Sequence, residues 1–284
     1  MNPKTSADVL FESYLLEHGR DDFIYEQLLP ESTKPPDYQL PTTGKPLLFE
    51  VKGFAREVSQ GFGYFDPYAP VRKKINKAIE KFRDLADYSC SLVLYNDSPG
   101  LVVLDPIIVF GAMLGDIAFE MPFTPASGLI SSEAQQVFTG RGRMIQYAKG
   151  GHPEKAVNTT INAIIVLEQY PLGQRRFGRR YDERKAARAE TLGAEEQIAA
   201  CYAEVIAARG TDHDVSLHVV RVVVIENPYA RIPLVRHLFI GPCDARYGAD
   251  EDGRLVRLYA GDIVAEFEAP WGEVRDDTGL PHEN

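Results

Sequence analysis

Six residues, Leu47 to Lys52, constrain this chain more than any other stretch. With the two-residue period of a β-strand, Leu47, Phe49 and Val51 face one way, and Leu48, Glu50 and Lys52 face the other. A glutamate and a lysine are then neighbours on one side of an otherwise apolar strand. Either charge buried alone would cost several kcal/mol. A structural ion pair at a strand end would meet that cost, and so would an active site.

Spacing bears on the choice. Asp37 precedes Glu50 by 13 positions. Pro41-Thr42-Thr43-Gly44-Lys45-Pro46 reads as a turn joining a strand at Asp37–Leu40 to one at Leu47–Gly53. Such a hairpin returns Glu50 alongside Asp37. Two adjacent carboxylates repel and raise each other's pKa unless a cation sits between them. Two hard oxygen ligands with open positions suit Mg²⁺ (or Mn²⁺). Such an ion would neutralise a phosphodiester and lower the pKa of a bound water. A lysine in reach could orient that water, help deprotonate it, or stabilise the transition state.

The surroundings give an order of elements. A helix is expected from about Ser6 to His18, with Thr5 and Ser6 as caps and Gly19 just past its end. A strand at Phe23–Leu29 and a proline-rich connector at Pro30–Pro36 follow. After the hairpin, residues 55–69 read as a long loop. Pro70 to about Tyr88 reads as a helix with Val71, Ile75, Ala78, Ile79, Phe82 and Leu85 on its apolar face. Cys90–Tyr95 reads as a buried strand. Further on, strands are expected at Thr160–Tyr170 and Val215–Ile225 and a long helix from about Asp182 to Ala208. The last forty residues read as hairpins or irregular surface structure.

Pro36-Asp37 followed by Glu50-Val51-Lys52, within this order, resembles the PD-(D/E)XK nuclease superfamily over roughly residues 5 to 95. The resemblance implies an α/β (α+β) fold with a restriction-endonuclease-like core. Its mixed central sheet would be flanked by helices in αβββαβ order, with an α+β C-terminal extension. It implies a core at 1–125 and an extension at 126–284 that could share the same sheet. It also implies Mg²⁺-dependent hydrolysis of DNA, leaving a 5′-phosphate. Carried over, Asp37 and Glu50 would be metal ligands, the Val51 carbonyl a third, and Lys52 the water-orienting group. Glu12, on the first helix, would be a direct or water-mediated ligand. Many such nucleases are dimers, which makes a homodimer a candidate assembly. The alternatives are a catalytically inactive nuclease fold used for DNA binding or assembly, and an RNA-directed nuclease.

Charge distribution supports a phosphate-bearing partner locally. The formal net charge is −10, which argues against a general polyelectrolyte binder. Yet Arg72 to Arg83 carries six bases (Arg72, Lys73, Lys74, Lys77, Lys81 and Arg83) against Glu80 alone. Lys73, Lys77 and Lys81 form an i, i+4 stripe away from the apolar face, and Arg72, Lys73 and Lys77 are candidate nucleic-acid contacts. A second basic run, with Arg175, Arg176, Arg179 and Arg180 interleaved with Phe177 and Tyr181, suits a nucleic-acid backbone with base stacking. The acidity gathers in the tail, where Asp244 to Asn284 holds eleven acids and four bases.

Other signals are set aside. Cys90, Cys201 and Cys243 have no metal or redox spacing, and the six histidines form no ligand pair. There is no Walker A motif. The longest apolar runs fall short of a bilayer span and Met1–Ala7 is polar, so a cytoplasmic protein without membrane attachment is the expectation.

Overall fold

The computed structural model describes residues 3–54, 66–97, 102–120, 123–124, 129–130, 135–139, 142–147, 153–175, 179 and 217–268. The chain groups into two units, residues 1–168 with 222–284, and residues 169–221. The fold is mixed α/β, with a mixed central sheet flanked by helices.

Helix α1 (Ser6–Glu17) begins with a capping box: the Thr5 hydroxyl accepts from the Asp8 N–H, and Asp8 accepts from the Thr5 N–H at 2.8 Å. It ends at Gly19, whose φ of +69° lets the Arg20 N–H turn back to the Leu15 carbonyl at 2.8 Å. Its inner face is Ala7, Phe11, Tyr14 and Leu15, while Val9 and Leu16 are exposed. Phe11 meets Tyr38 and Phe49 with ring centroids 5.3 and 5.4 Å apart.

Strands β1 (Ile24–Tyr25), β2 (Tyr38–Leu40) and β3 (Leu47–Gly53) form an antiparallel meander. Helix α2 (Ala69–Lys81) then carries the chain across to β4 (Ser89–Tyr95), which pairs parallel with β3. Parallel pairing needs such a crossover. Val71, Ile75, Ala78 and Phe82 are wholly buried and pack in one cluster with Leu48, Leu92 and Leu94. This cluster fixes which side of the sheet α2 covers: the side that bears Leu48 and, by the strand period, Glu50 and Lys52.

Helix α3 (Pro106–Leu114) was not anticipated. Asp105 caps it by accepting from the Ile107 N–H at 2.9 Å, with Pro106 in its first turn. Three two-stranded ladders follow: β5 (Asp116–Glu120) with β8 (Gln135–Thr139), β6 (Phe123–Thr124) with β7 (Leu129–Ile130), and β9 (Ile145–Tyr147) with β10 (Pro153–Ala156). The sheet then continues through β11 (Ile161–Tyr170), parallel to β4, and β12 (Val219–Glu226). It ends with β13 (Ala245–Ala249) and β14 (Leu255–Ala260), and α4 (Asp262–Phe267) follows. The sheet order is β1-β2-β3-β4-β11-β12-β13-β14.

Several expectations need correction. The strand expected at Phe23–Leu29 is two residues long, because Glu26 takes a positive φ of 48° and the Gln27 carbonyl accepts from the Gln39 side chain. The helix expected to reach Tyr88 ends at Lys81, and successive turns at Phe82, Leu85 and Tyr88 carry the chain into β4. In the last forty residues the hairpin alternative holds over 245–260, as β13 and β14, but it is built into the edge of the central sheet. β13 pairs parallel with β12 and antiparallel with β14, and Ala245 to Gly248 are buried. The expected long helix at 182–208 and most of the 55–69 loop lie outside the described residues.

One buried link joins the two ends of the sequence. The Tyr14 hydroxyl donates to Asp244, whose carboxylate also accepts from the Val222 N–H at 2.8 Å and the Gly241 N–H at 2.6 Å. Burial, reinforced by that carboxylate, pushes the Tyr14 phenol well up from its ordinary value.

Candidate active site

The β2–β3 register pairs Tyr38 with Phe49, so one residue further on Asp37 faces Glu50 across the hairpin. The Asp37 carboxylate accepts from the Val51 N–H at 2.8 Å, replacing a ladder partner. β2 begins at Tyr38, so the β2–β3 ladder ends before Pro36, which has no N–H to donate.

Two ammonium groups bridge the two carboxylates. Lys52 Nζ lies 2.6 Å from Glu50 Oε1 and 3.3 Å from Asp37 Oδ2. Lys81 Nζ lies 2.7 Å from Asp37 Oδ1 and contacts Glu50 Oε2. That last contact is an ion pair without hydrogen-bond geometry, since Glu50 Oε2 is buried and has no hydrogen-bond partner. Glu50 is 3% exposed, and the cluster forms the floor of a cavity of about 540 Å³ with Glu26, Lys34, Lys77 and Glu80 on its walls.

Three of these groups, Asp37, Glu50 and Lys52, are shifted from their ordinary values. Burial, and then the Asp37 charge, raise the Glu50 carboxyl, and the two lysines offset this only in part. Burial acts to raise Asp37 as well, but Lys52, Lys81 and the Val51 N–H outweigh it and hold Asp37 low. Burial acts to lower Lys52, but Glu50 and Asp37 outweigh it and raise its pKa. Lys52 is therefore a firmly held ammonium at neutral pH, suited to stabilising negative charge rather than to removing a proton.

The remaining expected residues fall elsewhere. Glu12 accepts from the Tyr38 hydroxyl at 2.9 Å and pairs with Lys4 at 2.5 Å, on the α1 side of the sheet; Glu50 and Lys52 project from the other side. Arg72 is buried, with Asp116 at 2.5 Å and Asp66 at 3.7 Å, so its charge is used inside the fold. Of the candidate contacts on α2, Lys77 lines the cavity together with Lys81, while Lys73, a turn earlier, is exposed and does not. Lys81, a member of the i, i+4 stripe that the sequence shows, is the residue of α2 that reaches both carboxylates. In the 169–221 unit, Arg175 is exposed and stacks on Tyr170 at 5.2 Å, and Arg179 is exposed. Arg176 and Arg180 lie outside the described residues.

No protein-family model matches the chain, and no curated protein or solved structure matches it. The functional reading therefore rests on this geometry. Among the described residues, no group of three or more His, Cys, Asp and Glu side chains is arranged to hold a metal ion. The donor set that Asp37 and Glu50 offer is two carboxylates. That suits a hard cation completing its shell with water and phosphate, and does not suit a closed zinc site. Glu50 Oε2 is buried without a hydrogen bond, and the cation it meets here is the Lys81 ammonium. No helix among the described residues is long and apolar enough to cross a membrane.

Proposed function

We propose that the chain is a PD-(D/E)XK-type nuclease that hydrolyses DNA phosphodiesters with Mg²⁺ or Mn²⁺. The observation that carries this is the placement of the Asp37 and Glu50 carboxylates together just past the end of the β2–β3 ladder, with Lys52 beside both. The element order α1-β1-β2-β3-α2-β4 and the adjacency of β1 through β4 in the sheet support a restriction-endonuclease-like core.

Asp37, Glu50 and the Val51 carbonyl would hold the ion. When bound, it would neutralise phosphate charge and lower the pKa of a water. The Asp37–Val51 N–H bond fixes one carboxylate against the strand, and burial between β3 and α2 fixes the other. Lys52, kept cationic by its two neighbours, stabilises charge that develops on a phosphate oxygen. Lys34 and Lys77, on the cavity walls, supply phosphate contacts.

A second reading is favoured by one observation: the two carboxylates are matched by two ammoniums, as in a structural charge network. It corresponds to an inactive fold used for binding or assembly. A cleavage assay on single-stranded DNA, duplex DNA and RNA, with Mg²⁺ or Mn²⁺ and with chelator, separates the readings. The expected result is metal-dependent cutting of DNA, lost in Glu50→Ala and Lys52→Ala. Failure to cut any substrate, or undiminished cutting by both variants, overturns the proposal. Cutting of RNA alone would move the substrate class.

A further inference from the structure

Lys81 sits where a cation shared by the two carboxylates belongs. Its ammonium is 2.7 Å from Asp37 Oδ1 and in contact with Glu50 Oε2, on the far side of the pair from Lys52. It reaches that place from the last residue of α2, whereas Lys52, second to last in β3, is paired with Leu94 of β4. Two cations of this size cannot both remain if a divalent ion is to use the same carboxylate oxygens. Both lysines line the cavity, with the Lys81 side chain 15% exposed and that of Lys52 29%; Lys81 is singled out because its backbone ends a helix, whereas that of Lys52 is held in the β3–β4 ladder opposite Leu94.

We propose that Lys81 is an internal counter-ion of the site. It neutralises Asp37 and Glu50 in the resting protein, is displaced when a divalent cation binds, and then turns its ammonium into the cavity beside Lys77 as a contact for substrate phosphate. The inference rests on the proposed metal-dependent function and adds its regulation: the ion and Lys81 compete for one pair of carboxylates. The buried Glu50 Oε2 fits this role, since it is held by charge alone and not by a directed hydrogen bond.

The test is Mn²⁺ binding to the full chain by titration calorimetry, comparing wild type, Lys81→Met and Glu50→Gln. Methionine keeps the apolar stem and removes the charge. With the competitor gone, Lys81→Met should bind Mn²⁺ about tenfold more tightly, the scale of one partly buried ion pair no longer broken. Glu50→Gln should bind far more weakly than wild type. Equal or weaker binding by Lys81→Met, with wild-type binding intact, overturns the competition alone. Absence of Mn²⁺ binding in wild type overturns the metal-dependent function as well. Should Lys81→Met fail to fold, a crystal structure of the wild type with Mn²⁺ decides. Lys81 Nζ is expected beyond ion-pair distance of both carboxylates, and its persistence there with the metal bound refutes displacement.

Discussion

Glu50→Gln separates a site built for chemistry from a network built for stability. The substitution keeps the shape of the side chain and removes one of four charges. The attraction from Lys52 at 2.6 Å is about 6 kcal/mol at an effective dielectric constant of about 20. Lys81 adds a term of similar sign. Against these stand the desolvation of a carboxylate that is 3% exposed, several kcal/mol by itself, and the repulsion of Asp37. The raised Glu50 pKa gives the sign of the balance: in the folded protein, its ionised form is disfavoured relative to the unfolded chain. Wild-type stability should therefore fall, relative to the Gln variant, as pH rises from the ordinary carboxyl value of 4.5 through the raised folded one, and then stay level. At neutral pH, Glu50→Gln should lie within about 2 kcal/mol of wild type or above it, while cleavage and Mn²⁺ binding are lost. Urea denaturation, with the m-value checked for constancy, measures this. A loss of about 3–5 kcal/mol, the usual result of breaking a buried ion pair that stabilises a fold, would refute the reasoning.

Two further outcomes follow from the same structure. Lys52 is raised above its ordinary 10.5, so its contribution to stability is present below that value and lost as pH rises through the folded one; Lys52→Met should lack this alkaline component in pH-dependent melts. Asp244→Ala strips acceptors from the Tyr14 hydroxyl and the Val222 and Gly241 N–H groups at once, and should cost about 3–5 kcal/mol in urea.

The hairpin was legible because two local rules agree in it: alternation places Glu50 and Lys52 on one face, and the turn length returns Asp37 to them. The order of elements through β4 was legible for the same reason. What escaped depends on how elements meet. Glu12 enters the site only through the resemblance, and α1 packs through Phe11 and Tyr14 on the other side of the sheet from Glu50. The lysine stripe on α2 was visible, but which turn of it meets β3 is set by the crossing of helix and sheet, which no sequence period encodes. β13 contains Arg246, Tyr247 and Gly248 and carries no hydrophobic run; it is a strand because β12 and β14 pair with it, and Arg246 is tolerated there by Glu226 at 2.6 Å and two carbonyls.

The Tyr14–Asp244 bond spans 230 positions of sequence. During synthesis at about 5–20 residues per second, on the order of 10–50 s separate the emergence of one partner from that of the other. Asp37, Glu50, Lys52 and Lys81 all leave the ribosome in the first part of that interval. The first helix meets their hairpin early, through Phe11 on Tyr38 and Phe49, and gains its buried tie to Asp244 only at the end of that interval. A nascent chain thus carries every charge of the candidate site, on a hairpin already backed by the first helix, well before the Asp244 carboxylate arrives to satisfy Tyr14.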